Sequence, residues 1–157
     1  MKNIGVIGLG DMGSGIALNL IKNGFKVFGS DLLPARQQAF KNMGGSLEIS
    51  IADIGKKCDA VFVMVMNGSQ AKSIIFDEDG LARNMEAGST VILSATIKPS
   101  EAEEIGHLIK DTGLQFIDTP VSGGFPGAQS GTLTLMASAS EDVMNKNRDV
   151  LEAISAN

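Results

Sequence analysis

Residues 1–31 constrain this chain more than any other stretch. Lys2 to Ile7 is a short, mostly apolar run, Gly8-Leu9-Gly10-Asp11-Met12-Gly13 follows at once, and Val27-Phe28-Gly29-Ser30-Asp31 closes the unit. Strand, glycine turn, helix, strand and terminal acid, in that order, form the dinucleotide-binding βαβ unit. Gly8 permits the tight turn out of the strand, and Gly10 admits a pyrophosphate where a Cβ would block it. Gly13 lets the helix lie close to the sheet. The helix start then offers unpaired N–H groups and the positive end of its dipole to phosphates. Asp31 lies eighteen residues after Gly13, near the roughly 20 expected of an acid that binds the adenine-ribose hydroxyls. A carboxylate there repels a 2′-phosphate, so NAD is the expected cofactor. Arg36, able to reach towards a 2′-phosphate, is the feature that favours NADP.

The bulk properties narrow the function classes. At 157 residues the chain is about one domain long, with enough apolar content (43%) for a proper core. Its net charge of −5 and its lack of Trp and Tyr argue against a nucleic-acid partner, which selects a basic surface and aromatic platforms. The longest apolar candidate, Ala60 to Met66, is strand-sized, far short of the ~20 residues of a membrane span. Met1-Lys2-Asn3 runs straight into the first strand and leaves no room for a signal peptide. Cys58 is the only cysteine and cannot form an internal disulfide, so a reducing cytoplasm is expected and Cys58 itself reads as packing.

Periodicity alternates between strand and helix throughout. Ile4 to Ile7, Lys26 to Ser30, a short segment near Leu47, Ala60 to Val65, Thr90 to Leu93, Gln115 to Asp118 and Thr132 to Ala137 read as strands. The run from Ala60 is apolar on both faces, as a central parallel strand requires. Helices are predicted over Ser14 to Lys22, Pro34 to Asn42, Ile51 to Lys57 (capped by Ser50), Ser69 to Phe76, from Lys98-Pro99-Ser100 onwards, and as one final helix from Glu141 to Ile154. Gly80 to Arg83 reads as a turn or short helix. No linker or repeat interrupts the pattern. The expected fold is α/β, a single Rossmann-type, doubly wound domain over residues 1–157 with a mostly parallel sheet.

A second constellation, Asp118-Thr119-Pro120-Val121-Ser122-Gly123-Gly124-Phe125-Pro126-Gly127-Ala128, is rich in Gly, Pro and Ser and reads as a loop. Consecutive glycines can aim N–H groups at an anion, and a serine hydroxyl both donates and accepts. The alternative is a tight crossover turn with a hydrogen-bonded serine.

Together, Gly8 to Gly13 with Ala17, Asn19, Leu20 and Gly24, and Asp118 to Gly124 with Gly127-Ala128 and Gly131-Thr132-Leu133, resemble the two signatures of the β-hydroxyacid dehydrogenases, the 3-hydroxyisobutyrate dehydrogenase family. Val65 to Gln70 and Ile75 to Gly80 look most like its L-threonate dehydrogenase-like branch. The resemblance implies that Gly8, Leu9, Gly10, Asp11, Met12 and Gly13 hold and flank the pyrophosphate and that Asp31 holds the adenine ribose. It further implies that Val65, Met66 and Asn67 border the cofactor and that Thr96 stands near nicotinamide ribose and substrate. Ser122, Gly123 and Gly124 would bind the carboxylate or hydroxyl of a small 3-hydroxy acid.

The resemblance also implies something this sequence does not contain. The family has a second, all-helical domain, reached by a long helix bearing a catalytic lysine, and no lysine of this chain matches that motif. Nor does His107, which reads as a mid-helix surface or packing residue. Oxidising a secondary alcohol by hydride transfer needs a group that takes the hydroxyl proton. The expectation is therefore an NAD-binding domain that turns over negligibly by itself, with a non-catalytic NAD- or metabolite-binding module as the alternative. Apolar surface near Met66, Phe125 and Met136, left bare without the helical domain, makes homo-oligomerisation a further expectation.

Overall fold

A computed structural model describes residues 2–48, 50–65, 67–94, 97–119, 121–122, 134–135 and 139–155, with 121–122 and 134–135 described by backbone alone. β1 (Asn3–Ile7), β2 (Lys26–Ser30), β3 (Ser46–Leu47), β4 (Ala60–Val63), β5 (Thr90–Leu93) and β6 (Gln115–Asp118) form one sheet in the order β3-β2-β1-β4-β5-β6. Every pairing in it is parallel. The order reverses between β1 and β4, and that switch point is where an open parallel sheet leaves a crevice at its carboxyl edge.

The connecting helices cover both faces of the sheet. They are α1 (Asp11–Lys22), α2 (Pro34–Asn42), α3 (Ile51–Lys57), α4 (Gly68–Phe76), the single turn α5 (Leu81–Asn84), α6 (Pro99–Ile109), α7 (Glu141–Lys146) and α8 (Arg148–Ile154). A 3₁₀ turn, Lys110–Thr112, extends α6. One core gathers Ile16, Ala17 and Leu20 of α1, Phe40 of α2 and Val150, Leu151 and Ile154 of α8 against Val6, Phe62 and Ile92. The other sets Ile54, Ala71, Ile75, Leu81 and Ile105 against Val61, Val63, Val91 and Leu93. Burial on both faces explains why β4 reads as an unbroken apolar run. Among the described residues, no helix is long and apolar enough to cross a membrane.

Local chemistry fixes several helix ends. Ser50 caps α3 by accepting from the Asp53 amide at 3.1 Å, and Pro34 opens α2 where no N–H partner is needed. Three expectations are corrected. The final helix is two helices: Asn147, 2% exposed, turns inward between them and donates to Thr90 Oγ1 at 3.1 Å and to the Val143 carbonyl at 2.9 Å. A buried amide that needs these partners bends the chain at the point where a continuous helix would hold it away from β5. Val121–Ser122, read as loop, is β7; of the strand expected over Thr132 to Ala137, Thr134–Leu135 forms β8, and the other residues lie outside the described ones. These two strands pair antiparallel in a separate ribbon, not in the main sheet. Ala60 to Val65 shortens to Ala60–Val63, because the chain leaves the ladder at the carboxyl edge where the crevice begins.

Candidate functional site

The turn after β1 is built so tightly that two of its glycines have no substitute. Gly8 takes φ +96°, and a Cβ on it would stand 2.0 Å from the Met64 carbonyl oxygen of the β4 exit. A Cβ on Gly13 would stand 1.8 Å from the Gly8 carbonyl oxygen, so the first turn of α1 lies directly on the turn that feeds it. Gly10 differs. It has the ordinary φ of −70° as the N-cap of α1, and a Cβ there would meet only the Arg36 guanidinium, at 3.6–3.7 Å. Packing therefore explains Gly8 and Gly13 but not Gly10, over which lies only the far end of the half-exposed Arg36 side chain, a group that can give way to a ligand as a pyrophosphate cradle requires. No side chain caps α1, so its first amides face that place as well.

Asp31 closes the site from the end of β2. Its side chain is only 6% exposed, with Oδ2 accepting from the Leu9 amide at 2.7 Å and Oδ1 from the Leu33 amide at 2.9 Å. Arg36 Nη1 stands 3.5 Å from the same Oδ2. Gln37 donates to the Asp31 carbonyl at 2.7 Å and pins the start of α2 to the strand end. A cleft of about 590 Å³ opens beside these residues, within the range of small-molecule sites. Its wall runs from Gly8, Asp31, Leu32, Leu33 and Arg36 to Val65 and the α4 residues Ser69, Gln70, Ser73 and Ile74. Leu32 is 95% exposed and Leu33 50%, an apolar rim fit for a flat ring.

The structure thus brings Gly8, Asp31 and Val65 to one cleft, with Gly10 next to its Arg36. The Leu9 side chain goes into the core, so this residue offers the crevice backbone alone. Asp11 is exposed in the first turn of α1, and Met12 packs against the core edge. Asn67 spends its side chain as the N-cap of α4, accepting from the Gln70 amide at 2.9 Å. Ser122 ends β7. Met66, Thr96, Gly123 and Gly124 lie outside the described residues, as do Phe125 and Met136 of the expected apolar surface. His107 is exposed on α6 and is not among the residues lining the cleft.

Several residues of the site escape sequence reading. Leu32, Leu33, Ser73 and Ile74 carry no motif; their one signal is position, in the segment just beyond the carboxyl end of β2 and on the helix that follows β4. Ser94 and Thr119 likewise follow the last residues of β5 and β6. Both are buried, and the Ser94 Oγ and Thr119 Oγ1 hydroxyls are, among the described residues, buried side-chain groups without a hydrogen-bond partner. Beside them, burial raises the Asp118 carboxyl above its ordinary value of 3.8. Polar groups short of partners thus collect at the carboxyl edge of the sheet, next to the segments that carry Thr96 and Ser122.

Fold and turn together define a dinucleotide-binding Rossmann domain. The family model described as the NAD binding domain of 6-phosphogluconate dehydrogenase matches residues 3–157. The L-threonate dehydrogenase of Cupriavidus necator is 42% identical over 153 residues, 98% of this chain and 52% of that protein. The mitochondrial 3-hydroxyisobutyrate dehydrogenase of Mus musculus is 34% identical over 154 residues, 98% of this chain and 46% of its own length. The solved structure of Mycobacterium tuberculosis 3-hydroxyisobutyrate dehydrogenase with L-serine superposes with a TM-score of 0.95 at 29% identity, covering 100% of this chain and 53% of that one. The chain belongs to the β-hydroxyacid dehydrogenase family and carries its NAD-binding domain. It spans about half the length of the curated relatives it matches.

Proposed function

We propose that this chain is the cofactor-holding part of an NAD-dependent dehydrogenase acting on a small 3-hydroxy acid, of the 3-hydroxyisobutyrate or L-threonate kind. The observation that carries the reading is Gly10: nothing in the fold demands a glycine there, yet a Cβ would fill the approach to the amides of α1. The backbone from Gly8 to Gly13, flanked by Leu9, Asp11 and Met12, takes the pyrophosphate. Asp31 receives the adenine-ribose hydroxyls, and Leu32, Leu33 and Ile74 enclose the adenine. Val65, Met66 and Asn67 lead the dinucleotide across the switch point, Thr96 stands at its nicotinamide end, and Ser122, Gly123 and Gly124 bind the hydroxy acid.

Bound NAD supplies the hydride acceptor. The chain's own part is to orient it, keep water from the apolar rim and hold the substrate's anionic end. A proton acceptor for the substrate hydroxyl is not among the groups assigned here, and the relatives' remaining length is where we place it, on the family's all-helical domain. Residues 1–157 act as one NAD-binding unit in this reading. The buried, unpaired Cys58 suits a reducing cytoplasm, and self-association through the surface that would meet the helical domain follows from the same reading.

The experiment is a titration with NADH followed by addition of hydroxy acids to the NAD+ complex. Binding without any change in nicotinamide absorbance is expected, and steady turnover by the 157-residue chain would refute the division of labour.

A further inference from the structure

We infer that Glu101 is a positioning residue: its carboxylate, set against the first turns of both α4 and α6, fixes the spacing of the β4 and β5 exits and so the place of the nicotinamide. The inference rests on the reading that the dinucleotide crosses the switch point past Val65, Met66 and Asn67 and ends near Thr96.

Glu101 lies in the first turn of α6, where its Oε1 accepts the Lys98 amide at 3.2 Å. The other half of the carboxylate faces the neighbouring crossover. A Cβ on Gly68, the first residue of α4, would fall on Glu101 Oε2 and stand 2.6 Å from Glu101 Cδ. Gly68 is buried and its φ is not positive, so backbone conformation does not demand glycine there. The demand comes from Glu101, whose carboxylate takes the place of a side chain at position 68.

Charge suits this position. The start of each helix is the positive end of a dipole, which a nearby anion stabilises. α4 has no acid in its own first turn, and its cap, Asn67, is neutral. Glu101 therefore serves two helix starts with one negative charge.

The remainder of both helices is anchored without it. Ala71 and Ile75 hold α4 in the core, and Ile105 and Ile109 hold α6. Lys72 and Glu104 join the two helices further along by an exposed pair at 2.7 Å. Loss of the Glu101 carboxylate thus leaves the helices in place and loosens their first turns. Those turns follow the two exits directly: Asn67 precedes Gly68, and Thr96 stands two residues before Lys98. The adenine half depends instead on Asp31, Leu32 and Leu33 at the end of β2.

The test compares NAD+ with ADP-ribose, which lacks the nicotinamide. Calorimetry is run on the 157-residue chain, Glu101→Ala, Glu101→Gln and Gly68→Ala, with thermal unfolding to show which are folded. Glu101→Ala is expected to weaken NAD+ at least about fivefold and ADP-ribose less than about twofold. Glu101→Gln keeps the acceptor for the Lys98 amide and loses the charge, so its NAD+ affinity should lie closer to the unsubstituted chain than to Glu101→Ala. Gly68→Ala displaces the carboxylate and should reproduce the selective loss of NAD+; it carries the comparison if Glu101→Ala does not fold. Equal weakening of the two ligands, unchanged NAD+ affinity, or a Glu101→Gln chain as impaired as Glu101→Ala would overturn the inference. So would failure of both alanine variants to fold, or an unsubstituted chain that binds NAD+ no more tightly than ADP-ribose and so has no nicotinamide contribution to position. Failure of the unsubstituted chain to bind either ligand would instead overturn the reading of the cleft, and this inference with it.

Discussion

The Asp31 carboxylate at the end of β2 accepts the Leu9 amide of the β1–α1 turn at 2.7 Å. One residue thus joins the two loops that must stay in register for a dinucleotide to lie between them. Its second oxygen takes the Leu33 amide, so Asp31 is a structural staple as well as a ribose acceptor. Asp31→Ala is expected to cost about 2 kcal/mol of folding stability, from the loss of charge-assisted hydrogen bonds. It should also weaken NAD+ more than NADP+, since removing the acid relieves repulsion of the 2′-phosphate. Denaturant unfolding and paired titrations check the two halves separately. NAD+ preference surviving the substitution intact would remove Asp31 from the cofactor assignment.

Gly10 and Gly13 should respond in opposite ways to the same added methyl. Gly13→Ala drives a Cβ into the Gly8 carbonyl and is expected to destabilise the fold by about 2–4 kcal/mol. Gly10→Ala meets no backbone and should cost only about 1 kcal/mol, as a poorer N-cap. Its effect belongs to binding, where a loss of NAD+ affinity of about tenfold or more is expected from a methyl in the pyrophosphate approach. A Gly10→Ala chain that binds NAD+ normally would show that the space serves no phosphate.

Cys58 is buried against Ile54 and Val61, and burial pushes its thiol up to about 12. The thiolate is the reactive species, so native chain should resist alkylation at about pH 8 and be modified readily once unfolded. Rapid labelling of the native protein would contradict the packing of β4 and α3.

Asp118 gives the stability a pH signature. Burial raises its folded-state pKa above the ordinary 3.8. Its contribution to stability is therefore fully present below the unfolded value and lost as pH rises through the folded one. Asp118→Asn should accordingly be more stable than the unsubstituted chain near neutrality, with the gap closing as pH falls towards 3.8. Thermal unfolding across that window checks it, and a gap that widens on acidification would reverse the assigned cause.

Much of this architecture was legible because it is written locally. The glycine spacing announces β1, the α1 turn and β2, and the unbroken apolar run announces β4 as a central strand. Ser50 and Pro34 mark their helices in the sequence. What was not legible depends on partners distant in the chain. Asn147 breaks the last helix only because Thr90, 57 residues away, is there to accept its amide. Val121–Ser122 looks like loop until Thr134–Leu135 pairs with it. Asp31 reads as a ligand group, and its contact with Leu9 exists only once β1 and β2 lie side by side. The exposed Leu32 and Leu33 and the buried hydroxyl of Ser94 belong to no motif, since their roles follow from the carboxyl edge they occupy; Thr119 lies inside a signature, but its burial is not written there.

The most direct measurement is calorimetric titration of NAD+ into the unsubstituted chain and into Gly10→Ala, under conditions where both are folded. Saturable one-to-one binding that the substitution weakens about tenfold or more is the expected result. Absence of binding to the folded, unsubstituted chain, or equal affinity for both chains, would contradict the assignment of the glycine turn as the pyrophosphate cradle.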